Sequence, residues 1–96
     1  MRGGLRSFEM SISRNEFLRL LPRAVGGSPF AVTGNAFVHV EVGRSWQIAL
    51  NPLPELNLGT LLLERHGVIW GFSGYSETEI EALVNRFMLH FRRGGG

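Results

Sequence analysis

The side chains whose types and spacing fit acid/base or metal chemistry are His39, Glu41 and Glu64. An imidazole that titrates near neutrality beside carboxylates is suited to move a proton or share a cation. His39 and Glu41 are two residues apart in an alternating stretch, so as strand residues they point to one face. Polar residues at period two are also what a solvated sheet face shows, and that reading is favoured over a site. His66 and His90 have no partner at metal-ligand spacing. The chain contains no cysteine, so disulfides, thiolate catalysis and Cys-based zinc sites are excluded. No Asp is present to orient a histidine, and the glycine-flanked Ser73 lacks the nucleophile-elbow spacing. The run 71–76 reads instead as a strand leaving for a helix cap. No cofactor is implied.

Two helices would frame these residues. Ser76 and Glu79 form an S-x-x-E capping box, with Tyr75 and Ile80 as a hydrophobic staple. Ile80, Leu83, Val84, Phe87, Met88 and Phe91 then recur at helical spacing, which predicts an amphipathic helix to about Phe91. Ser13 and Glu16 repeat the box, with Ile12 and Phe17 as the staple, and Pro22 followed by Gly26-Gly27 ends that helix.

Between the helices the period is two. A strand near Phe30 to Thr33 turns at Gly34-Asn35, which sets Val32 beside Phe37. A three-residue turn Gly43-Arg44-Ser45 would pair Val42 with Trp46, Val40 with Ile48 and Val38 with Leu50, keeping the valines with the large apolar residues. A further hairpin turning at His66-Gly67 would pair Leu63 with Trp70 and Leu61 with Phe72. Residues 51–59, with two prolines, read as the connection. The expected fold class is α+β: an antiparallel sheet of about five strands, with an N-terminal and a C-terminal helix packed on one face. That face would carry the valines, Trp46 and Trp70. Phe37, His39, Glu41, Leu62, Glu64 and Ile69 would share the other.

Length and composition fit this reading. Ninety-six residues make one domain, with 44% hydrophobic and 19% charged residues, a globular balance. Residues 1–10 read as a flexible tail, with Met1 or Met10 as the start, and 94–96 as a second one. No signal peptide or membrane segment is visible, and the absence of cysteine fits a cytoplasmic protein. Every basic residue is Arg and every acidic residue Glu, the bias of a GC-rich coding sequence. A net charge of +2 and the lack of an RNP pattern disfavour nucleic-acid binding.

The ending Arg92-Arg93-Gly94-Gly95-Gly96 resembles the diglycine tail of ubiquitin-like sulfur carriers over its last residues alone; those tails follow a strand, and this one follows a helix. Helix, antiparallel sheet and closing helix together are similar to the frataxin arrangement. That resemblance implies an acidic ridge binding iron on the first helix, where this chain has several arginines and Glu16 as its one acid. The function expected is therefore a small soluble accessory or protein-interaction module. Its partner would be another protein or a second copy in a homodimer. The surface expected is Phe37, His39, Glu41, Leu62, Glu64 and Ile69. The alternative is a small acid/base or metal-dependent enzyme working from the same face.

Overall fold

A computed structural model of the chain describes residues 4–95. Its elements are β1 (Gly4–Met10), α1 (Arg14–Ala24), β2 (Ala31–Thr33), β3 (Ala36–Glu41), β4 (Arg44–Leu58), β5 (Leu61–Ser73) and α2 (Glu77–Gly95). The strands form one five-stranded antiparallel sheet in the order β1-β5-β4-β3-β2. The α+β class and the antiparallel sheet agree with the sequence reading. No described helix is long and apolar enough to cross a membrane.

Both helices begin as the capping boxes indicate. Ser13 Oγ accepts from the Glu16 amide at 3.1 Å. At α2 the box is reciprocal: the Glu79 amide donates to Ser76 Oγ at 3.1 Å, and the Ser76 amide donates to Glu79 Oε1 at 2.8 Å. Helix α1 ends in a Schellman motif, with the Gly27 amide donating to the Pro22 carbonyl and the Gly26 amide to that of Arg23. Gly26 and Gly27 take φ of +70° and +81° to do so.

Four expectations are corrected. The first concerns the chain ends. Residues 4–10 are an edge strand, so α1 is not the first element. Phe8 and Met10 alternate with Ser7 and Glu9 and pair with Val68 and His66 of β5. Residues 1–3 and Gly96 lie outside the described residues, while Gly94 and Gly95 continue α2 beyond Phe91.

The second concerns register. The β3–β4 turn has two residues, Val42-Gly43, so Glu41 opposes Arg44, His39 opposes Trp46 and Phe37 opposes Ile48. Gly43 alone has positive φ, +84°, which a type II turn places on its second central residue. A slip of one residue moves a strand's whole side-chain set to the other face. Phe37 and His39 therefore join Trp46 and Ile48, while Val38 and Val40 lie on the side away from them and Val42 stands in the turn. Val40 is 73% exposed, and Phe37, expected on the open face, is fully buried.

The third and fourth concern the second hairpin. Its turn is Gly59-Thr60, with Leu58 opposing Leu61 and Gly59 at φ +67°. His66 and Gly67 sit within β5, and residues 51–58 are strand rather than connection. Prolines are tolerated there for a geometric reason. The Leu50 amide donates to the Asn35 carbonyl at 2.8 Å, the last bond of that edge before β3 ends. Backbone direction repeats every two residues, so the nitrogen of Pro52 points past the end of β3, where no acceptor waits. Pro54 lies in a bulge between Leu53 and Leu56, where the ladder is interrupted. The β4–β5 hairpin thus runs beyond β1 and β3 as a two-stranded arm, and the fold measures 48 × 25 × 22 Å.

The core is aromatic. Phe17 of α1 lies 5.6 Å from Phe37 of β3, and Phe87 of α2 lies 4.9 Å from Trp70 of β5, centroid to centroid. Phe17 also stacks on Phe91 at 4.9 Å, joining the helices. Trp46, Ile48, Leu50, Val68 and Phe72 complete the set. The Trp70 ring N–H has no hydrogen-bond partner among the described residues and sits among the rings of Phe72 and Phe87.

Gly74 locks the end of β5 against the β3–β4 turn. A Cβ there would lie 2.1 Å from the Gly43 carbonyl oxygen, and its φ is +83°. Gly27 has a similar φ with open space around it. Gly27→Ala should cost only the left-handed backbone, about 1–2 kcal/mol. Gly74→Ala adds a backbone clash and should cost clearly more. Urea unfolding of the two variants checks the order; equal losses would contradict the packing of Gly74 on the turn.

Candidate functional site

The six residues expected to share one face fall in four places. Phe37 is in the core. His39 and Glu41 stand near the β3–β4 turn, on the same side of the sheet as Trp46. Leu62 and Glu64 are exposed on the arm, on the His66 side of β5, and Ile69 faces the opposite way. His39 opposes Trp46, which opposes Phe72, and Phe72 is eight residues from Glu64, about 27 Å along the strand. The triad of one histidine and two carboxylates does not assemble. Among the described residues no group of three or more His, Asp or Glu is placed to hold a metal ion.

His39 and Glu41 do meet. The His39 ring, 5% exposed, stacks on Trp46 at 5.4 Å. Its Nδ1 lies 2.7 Å from the Pro29 carbonyl and its Nε2 lies 3.0 Å from Glu41 Oε2. Both neighbours are acceptors, so both bonds form only when the ring carries two protons. The hydrogen bond to Glu41, then that to Pro29, holds the His39 pKa above the ordinary histidine value despite burial. The same bond from His39 holds the Glu41 carboxyl below the usual carboxylate range.

Arg44 extends the network. Its Nε lies 3.4 Å from Glu41, its Nη1 donates to Glu79 Oε2 at 2.9 Å, and its guanidinium lies 4.9 Å from the Tyr75 ring centre. Burial, with the Glu41 charge second, pushes the Tyr75 hydroxyl pKa up. Glu79 is held low chiefly by the Ser76 amide that it caps. The chain His39–Glu41–Arg44–Glu79 therefore ties the β3–β4 turn to the start of α2. Its polar atoms are spent on one another, as in a structural network.

The concavities are lined by other residues. One hollow of about 410 Å³ is lined by Ser7, Asn51, Leu53, Gly67 and Ile69, and a second of about 240 Å³ by Ser45, Gln47 and Gly71. A third, lined by Arg23, Gly26, Gly27, Arg86 and His90, is basic. Arg86 lies over Gly26, where a Cβ would be 3.3 Å from its Nε, and His90 Nδ1 donates to the Arg86 carbonyl. This cleft sits at the capped C-terminus of α1, where arginines complement the helix dipole.

What the sequence reading missed is the apolar character of the other sheet face. Leu5, Val38, Val40, Ala49 and Ile69 share it by register. Leu53 continues it, and beyond the bulge Leu56, Leu58, Leu61 and Leu63 carry it along the arm. Of these, Leu5, Val40, Ile69, Leu56, Leu58 and Leu61 are exposed. The signal was present as valines at period two and as leucines flanking Gly59-Thr60. No family model, no curated protein and no solved structure matches the chain.

The His39 pair sets a pH dependence. A pKa raised on folding contributes stability that is complete below the unfolded histidine value and is lost as pH rises through the folded value. The depressed Glu41 value describes the same bond from the other side: its contribution is present above the unfolded carboxylate value and lost as pH falls. The urea midpoint should therefore fall between about pH 6 and pH 8, and less so in Glu41→Gln. An identical pH profile in wild type and Glu41→Gln would contradict the pairing.

Proposed function

We propose that the chain is a non-enzymatic protein-interaction module. In this reading α1 and α2 together cover the sheet face that bears Trp46 and Trp70. The opposite face, with the leucine arm, is the surface that docks a partner. The observation that carries the reading is the exposure of Leu5, Val40, Ile69, Leu56, Leu58 and Leu61 on one side of the sheet. Scattered exposed apolar side chains are ordinary in a monomer, whereas a contiguous stretch of them marks an interaction surface. A two-stranded ribbon is also marginal alone in water, so the arm gains from being covered. The acid/base alternative has less support, because His39 is buried and satisfied and Glu64 is far from it.

A polarity-sensitive dye tests the surface without knowledge of the partner. At low protein concentration the wild type should bind it, and Leu56→Glu with Ile69→Glu should reduce binding several-fold. Each added carboxylate remains wet on the isolated chain, so the urea midpoint should move little, by about 0.5 kcal/mol equivalent or less. Dye binding as strong in the variant as in the wild type would contradict the reading.

A further inference from the structure

Resting on that reading, we infer that the partner of the apolar face is a second copy of this chain, packed sheet against sheet about a two-fold axis.

Charge is the first argument. The charged groups on the outer face of β1 and β5 are Glu9 and Arg65, and they pair with each other at 2.6 Å. The neighbouring polar residues, Ser7, Gln47 and Asn51, are neutral. Across β1 and β5 the face thus carries its charges as an internal pair and meets its own image there without repulsion. A partner selected by charge would be met by an unpaired charge of one sign, as the arginine-lined cleft between the helices offers.

Shape is the second. Ile69 stands on β5 between Gly67 and Gly71, and the two hollows described above open at those glycines, one on either side of it. A knob flanked by holes on the same strand, two residues away in each direction, is complementary to itself. Sheets packed face to face lie about 10 Å apart with strands inclined by roughly 30°. Two β5 strands crossing in this way bring each Ile69 beside a glycine of the other copy. An isologous contact needs this kind of self-complementarity.

Area is the third. Strand spacing and rise give the outer face a projected area of about 450 Å² in the body and about 200 Å² in the arm. That approaches the ~800 Å² per partner of a standard interface.

Sedimentation of the full chain over a wide concentration range tests the inference. The expected result is a concentration-dependent dimer. Ile69→Glu should raise its dissociation constant at least tenfold, because the carboxylate is desolvated only in the dimer. Leu62→Glu, on the opposite side of the same arm, should leave it within about twofold. Val40→Glu is the second outer-face variant, to be read in place of Ile69→Glu if near-ultraviolet circular dichroism shows that variant unfolded. A dimer that survives the outer-face change, or that is lost with Leu62→Glu alone, overturns the inference. A wild type that stays monomeric yet binds the dye overturns it too, and leaves the interaction-surface reading standing. A monomer that binds no dye removes both.

Discussion

The two-residue turn at Val42-Gly43 decides which side of the sheet is inside. Side chains alternate along a strand, so the length of this one turn assigns Phe37 and His39, rather than three valines, to the layer containing Trp46 and Ile48. The aromatic core follows from it. Phe17 meets Phe37, His39 lies on Trp46, and Trp46 meets Trp70 edge-on at 5.8 Å. Rings make larger contacts in this layer than valines offer, and paired rings add about 0.5–1.5 kcal/mol each beyond burial. The same choice brings an imidazole into the interior. A buried charge is costly unless hydrogen-bonded, and Pro29 and Glu41 meet both ring nitrogens. Gly74, seated against the turn, and Arg44, reaching to Glu79, fix it to the start of α2.

The outer face is the other half of that choice. With Phe37 and His39 turned inward, Val38 and Val40 lie beside Ala49, Ile69 and Leu5 on the far side. The bulge between Leu53 and Leu56 changes the parity of β4 there. It keeps Leu56 and Leu58 on the same side as Leu61 and Leu63. A bulge-free arm would instead have turned those two leucines to the Leu62 side. The placement of these apolar residues on one side thus depends on two local features, one short turn and one extra residue.

Much of this was legible in the sequence, and the failures have physical causes. The capping boxes at Ser13 and Ser76, the end of α1 at its glycines, the Gly34-Asn35 turn and the inward set Trp46, Ile48, Leu50, Trp70 and Phe72 are local patterns with local mechanisms. The register of β3 was not legible, because valine alternation scores a strand but does not say which of two alternating sets is buried. His39 counted as polar; Glu41 was visible two residues away, but the Pro29 carbonyl, ten residues away, lies outside the local pattern. Strand β1 was hidden because it pairs only with β5, some sixty residues on. The arm was hidden by Pro52, whose nitrogen faces an edge that ends just before it, and by Pro54, which lies in the bulge. Of the six residues read as a candidate surface, only Ile69 stands on the face proposed here.

The account turns on one register, and cross-strand proton contacts in the nuclear magnetic resonance spectrum of the full chain measure it directly. The expected contacts run from His39 to Trp46 and from Phe37 to Ile48, with Glu41 opposite Arg44. Contacts from Val40 to Ile48 and from Val38 to Leu50 would instead place the valines inside, return Phe37 and His39 to the outer face, and contradict the account.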